Sequence, residues 1–134
     1  MTEEQVDLTK LDCKIFVDGV RDASELSGWL ALAITGDRTE DGVQAPLVEM
    51  LVEDNKDADA IAKQTLPSGF LFFDHFVEVY FAPRADHDHR VREVSRVLED
   101  LWGRDLAAVA ACDYEDELPR QGGVDGSGPG PVNG

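Results

Sequence analysis

The stretch from Phe70 to Phe81, FLFFDHFVEVYF, constrains this chain more than any other. Aromatic and β-branched residues dominate it, and they suit a pleated, buried surface better than a helix. A strand this apolar and aromatic fits the centre of a sheet. The run is long for one strand, and Asp74-His75 in its middle suggests a bulge or bend. Pro83 stops it.

The flanking segments supply the rest of such a sheet. Leu11 to Val17 alternates, with Cys13, Ile15 and Val17 on one side, and reads as a first strand ended by Asp18-Gly19. Asp22 and Glu25 have the spacing of a capping box. Leu26, Trp29, Leu30 and Ala33 then mark one helical face, with Gly36 expected as the left-handed cap. Asp37 to Pro46 reads as a polar loop. Leu47 to Glu53 alternates again, with Val48, Met50 and Val52 inward, and its acidic outer residues suit a sheet edge. Asp54 to Gly69 is a longer connection, in which DADAIAKQ suits one or two helical turns. Beyond the central strand, Asp86 or Asp88 can cap a helix carrying Val91, Val94, Val97, Leu98, Leu101 and Trp102, ended by Gly103. Leu106 to Cys112 reads as the last strand.

The order is β-α-β-β-α-β. It predicts an α+β, ferredoxin-like fold: a four-stranded antiparallel sheet with two helices on one face. Residues 9–120 are expected to form this single domain. Residues 1–8 are expected to be a flexible N-terminus. Residues 121–134, rich in Gly and Pro, are expected to form a disordered tail.

Charge bounds the function. Lys and Arg number 12, Asp and Glu 28, for a formal net charge of −16. Such a chain repels nucleic acid and anionic membranes and attracts basic partners. The N-terminus lacks the basic and apolar regions of a secretory signal, and no run approaches the roughly 18 apolar residues of a membrane span. A cytoplasmic protein with reduced thiols is expected.

Four clusters invite a chemical reading, each beside a plainer one. Asp86-His87-Asp88-His89 offers metal-ligand types, but aspartate at a helix start is chiefly a cap. Asp74-His75 could be a base with its orienting carboxylate, but a structural bulge is the favoured reading and no nucleophile stands nearby. Cys13 and Cys112 fall on strands expected to be neighbours and read as small buried hydrophobes. Their acidic neighbours, Asp12 and Asp113, should raise their pKa values. Arg84, Arg90, Arg92, Arg96 and Arg104 lie in and around the second helix, where Glu93, Glu99 and Asp100 interleave as in a salt-bridged exposed face. Phosphate-binding loops and nucleophile elbows are absent from the sequence.

The remaining cluster, Asp113, Tyr114, Glu115, Asp116 and Glu117, sets an aromatic ring among carboxylates. A solvated chain end is the plain reading. A docking patch is the functional one, with Tyr114 as anchor and the charges choosing the partner. A second acidic concentration runs from Glu40 to Asp59, without the spacing of a calcium loop. The sequence therefore points to a non-enzymatic, acidic protein that docks on or neutralises a basic protein, such as an immunity protein for a nuclease-type toxin. No cofactor or metal is expected. The alternative is a homodimeric small-molecule-binding or regulatory domain, associating through an open sheet face that carries Phe16, Leu47 and Leu51.

Overall fold

The computed structural model describes residues 6–64 and 68–123. The chain runs β1 (Cys13–Asp18), α1 (Ala23–Ile34), β2 (Asp37–Arg38), β3 (Gly42–Ala45), β4 (Val48–Asp54), β5 (His75–Phe81), α2 (His87–Gly103) and β6 (Ala107–Ala111). The strands form one antiparallel sheet in the order β2-β3-β4-β5-β1-β6. The fold is thus α+β, but the expected four-stranded sheet is corrected to six strands.

The two added strands come from the segment read as a polar loop. Asp37 pairs with Gln44 and Arg38 with Val43, and β3 then lies along β4. Only Val43 in this hairpin is a fully buried large apolar residue, so no alternation announced it. A Cβ on Gly42 would stand 1.9 Å from the carbonyl oxygen of Met50. Glycine there is what lets β3 approach β4. The acidic strand β4 is therefore interior, and the edge falls to β2, two exposed residues long. Such a short edge offers little to a pairing chain.

Both helices begin as their sequences dictate. Asp22 Oδ1 accepts from the Glu25 amide at 2.9 Å, and Glu25 Oε1 accepts from the Arg21 amide at 2.8 Å. Asp86 Oδ1 accepts from the His89 amide at 2.8 Å. The left-handed residue after α1 is Thr35 (φ 53), not the expected Gly36, whereas α2 ends at Gly103 as expected, with Asp105 (φ 64) left-handed two residues on. Gly36 serves close packing instead, since a Cβ there would meet the Gln44 carbonyl oxygen at 2.7 Å.

α1 and α2 cover one face of the sheet. Ile15 and Val17 of β1, Val48 and Met50 of β4, and Val77 and Val79 of β5 meet Leu26, Leu30, Val94, Leu98 and Leu101 there, all buried. Burial of these side chains contributes about 1.5–3 kcal/mol each before the entropic cost of ordering the chain.

The other face corrects two expectations. The aromatic run is not a single long strand: Ser68–Phe72 is a 3₁₀ turn, and β5 begins at His75. Asn55 Nδ2 donates to the carbonyls of Leu71 (3.0 Å) and Phe73 (2.7 Å), which leaves them out of the sheet ladder. Phe70 and Phe73 turn back over the sheet and cover Phe16, which is only 6% exposed. The open apolar face is corrected accordingly. Leu47, expected on that face, sits in the β3–β4 turn at φ 68 and packs against the helix-side core.

At the C-terminal side, Pro119–Gly123 forms a turn against β6 and α2, with Arg120 over the Trp102 ring at 4.9 Å. Residues 121–123 of the expected tail thus belong to the described fold. Residues 124–134 and 1–5 lie outside the described residues.

Candidate functional site

β1 carries an aspartate just before its first residue and another as its last. The first, Asp12, organises the candidate site. Its backbone amide donates to the Val79 carbonyl at 3.0 Å, which extends the sheet by one step and fixes the side chain. Arg90, in the first turn of α2, donates from Nη1 to Asp12 Oδ1 at 2.7 Å. The same guanidinium donates to the Ala85 carbonyl at 3.0 Å. The Tyr114 hydroxyl donates to Asp12 Oδ2. One carboxylate therefore joins β1, α2 and the segment after β6. A charge-assisted pair held this way is stronger than a neutral one, and its partners lock its rotamer.

Tyr114 is only 7% exposed. Burial, and next the Asp12 carboxylate, push its phenol well above the usual range, so it serves as a donor. The expected exposed aromatic anchor is corrected: a tyrosine whose hydroxyl meets a buried carboxylate turns inward. The ring instead supports His87, edge to face at 5.7 Å and 82°. His87 Nε2 lies 2.9 Å from both carboxylate oxygens of Glu117. That hydrogen bond, with the Glu117 charge, raises the His87 pKa above its ordinary value.

The rest of the acidic cluster divides. Glu115 Oε2 accepts from the Cys112 amide at 2.9 Å and so holds the turn after β6. Asp113 and Asp116 are exposed. Asp113 and Glu117 join Asp12, His87, Arg90 and Leu11 around a cavity of about 510 Å³, floored by Tyr114. Leu11 is 48% exposed and gives the rim an apolar patch. Three carboxylates face one guanidinium here, so with His87 neutral the cavity carries two net negative charges. Such a site suits a cationic group with an aliphatic stem.

Sequence reasoning reached Asp113, Tyr114 and Glu117 but not Asp12, Arg90 or Leu11 as members of one site. Asp12 looked like one outward residue of an alternating strand, and Arg90 like one of five arginines on an exposed helix face. A carboxylate immediately before a buried strand and an arginine in the first turn of a capped helix were the available signals.

The other candidate clusters come apart in space. Asp86 is the α2 cap, His87 faces Glu117, and the His89 ring stacks edge-on to Phe81 at 6.0 Å. Among the described residues, no three His, Cys, Asp or Glu side chains converge as a metal site. Asp74 does not orient His75: it accepts from Lys63 Nζ at 3.2 Å, while His75 Nε2 faces Asp54 Oδ1 at 3.2 Å. Arg96 pairs with Glu93 at 3.2 Å and Arg104 with Asp100 at 2.9 Å, consistent with a salt-bridged helix face. Arg104 also lies over the Trp29 ring at 3.9 Å. Cys13 and Cys112 are both free thiols. No helix among the described residues is long and apolar enough to cross a membrane.

Compared with protein-family models, curated proteins and solved structures, the chain matches none of them. The architecture and the site define an acidic α+β protein with a negatively charged cavity at one end of its sheet.

Proposed function

We propose that this is a non-enzymatic acidic protein that docks on a basic protein partner, with the cavity beside Asp12 receiving a lysine or arginine side chain. The observation that carries this reading is the convergence of Asp12, Asp113 and Glu117 around a 510 Å³ cavity with Leu11 on its rim. The partner's aliphatic stem would lie on Leu11 and Tyr114, and its charge would meet Asp113 and Glu117. The net charge of −16 would add long-range steering. An immunity protein for a nuclease-type toxin, acting in the cytoplasm, is the kind of neutraliser these properties suit. As part of the same proposal, the core is a ferredoxin-like unit: β4-β5-β1-β6 with α1 and α2 follow that strand order, and the β2–β3 hairpin is an addition at its edge.

Association kinetics with a captured basic partner test the docking. Asp113→Asn, Asp116→Asn and Glu117→Gln combined should slow association at least tenfold at low salt and flatten its salt dependence. Glu115 is left in place because it holds the Cys112 amide. An unchanged on-rate would remove the cavity from the interface.

A further inference from the structure

The two cysteines lie far apart in sequence and together in the fold. β1 and β6 pair antiparallel, with Lys14 opposite Ala111 and Ile15 opposite Ala110. One step further, the same register sets Cys13 opposite Cys112. Directly opposed residues of an antiparallel pair have Cα atoms about 4.5–5.5 Å apart, which lies inside the span a disulfide bridges. Opposed residues also share a face, and both cysteines pack on the helix side.

The two thiols are near enough to shift each other's acidity in opposite directions. The pair is asymmetric. Cys13 is 1% exposed, whereas Cys112 is partly open to solvent just before the Asp113–Glu117 turn. The Cys112 contact, with burial, pushes the Cys13 thiol up. The Cys13 thiol, joined by the Tyr114 amide, brings Cys112 down against the opposing effects of burial, Glu115 and Asp12. The lowering at Cys112 departs from the sequence expectation that acidic neighbours would raise both thiols.

We propose that Cys112 and Cys13 form a redox-modifiable dithiol, in which Cys112 meets a low-molecular-weight disulfide and Cys13 resolves the product. The Cys112 thiolate attacks one sulfur of the oxidant, RSSR. A Cys112–SR mixed disulfide forms, and one RS⁻ leaves and takes a proton. Cys13 then loses its proton to solvent and attacks Cys112 Sγ. The Cys13–Cys112 bond forms, and the second RS⁻ leaves and is protonated. In sum, two protein thiols are oxidised to one disulfide and RSSR is reduced to two RSH. The burial of Cys13 keeps the first attack at Cys112, and its position opposite Cys112 makes the second attack intramolecular. The bond would tie β1 to the start of the acidic turn, directly behind Tyr114. This inference stands on the strand register and does not depend on the docking function.

Oxidised glutathione added to the full chain, followed by alkylation, intact mass and peptide mapping, tests it. The wild type should lose two hydrogen atoms, resist alkylation at both cysteines, form no disulfide between chains without reductant, and recover both thiols with dithiothreitol. Cys13→Ser should stop at a single glutathione on Cys112. Cys112→Ser should remain unmodified. If either variant fails to fold, the Cys13–Cys112 linked peptide of the wild type decides the matter. Stable glutathione on wild-type Cys112, full alkylation of both thiols, or a disulfide found only between chains would each overturn the proposal.

Discussion

The two ends of β1 are built on the same chemistry and do different things. At one end Asp12 meets Arg90 and Tyr114. At the other, Asp18 accepts from Lys63 Nζ at 3.1 Å through both oxygens and from the Asp74 amide at 3.1 Å. Each carboxylate is largely buried, with 13% of the Asp12 side chain and 10% of the Asp18 side chain exposed. The partners differ. Arg90 is a planar fork seated in the first turn of a helix, and it also holds the Ala85 carbonyl. Lys63 is a point charge on a flexible stem, within a short turn, and it shares itself with Asp74. Burial works against the Lys63 ammonium, but Asp18 and Asp74 outweigh it and hold its pKa above the ordinary value. The Asp12 end is thus a rigid junction of three elements beside a cavity, suited to presenting a site. The Asp18 end straps the connection between β4 and β5 over the sheet, suited to closing the fold.

The comparison is broken most directly at Asp12. Asp12→Ala strands the Arg90 guanidinium and the Tyr114 hydroxyl together, so we expect a loss of about 2–4 kcal/mol in urea unfolding. Asp18→Ala should cost less, about 1–2 kcal/mol, because Lys63 can turn to water or to Asp74. Its distinguishing mark should be faster proteolysis between Asn55 and Gln64, while Asp12→Ala leaves that stretch protected. Equal losses from the two variants, with the same cleavage pattern, would erase the distinction.

A smaller effect sharpens it. His87 at the Asp12 end has a folded pKa raised by Glu117. A raised histidine pKa contributes stability that is complete below its ordinary value near 6.5 and is lost as pH rises through the folded value. The wild type should therefore exceed His87→Gln in urea midpoint at pH 5.5 and match it by pH 8.5. A constant difference across that window would mean that the Glu117 contact does not favour the charged ring.

What the sequence revealed follows from which signals are periodic. The core faces of β1, β4 and α2 and both aspartate caps were legible, because alternation, helical spacing and capping are local. The β2–β3 hairpin was not, since its one large core residue, Val43, sits among exposed ones and its key requirement is the bare Cα of Gly42. The Phe70–Phe73 turn misled because aromatic residues suit a strand and a covering loop equally, and Asn55, whose amide settles it, is distant in sequence. Tyr114 was found as a candidate but turned the wrong way. Its partner Asp12 lies at the opposite end of the chain, and only the antiparallel placement of β1 beside β6 brings them together. The cavity was illegible for the same reason, since its walls come from three separated segments.

The central claim is that the Asp12 end, and not acidity in general, receives a cationic side chain. Titrating the isotopically labelled protein with a short arginine-rich peptide and following backbone amides by NMR tests this most directly. The account predicts saturable shifts confined to Leu11, Asp12, His87 and Asp113–Glu117, with Asp18 and Lys63 unmoved. Unsaturable shifts spread along Glu49 to Asp59, with the cavity residues silent, would contradict it.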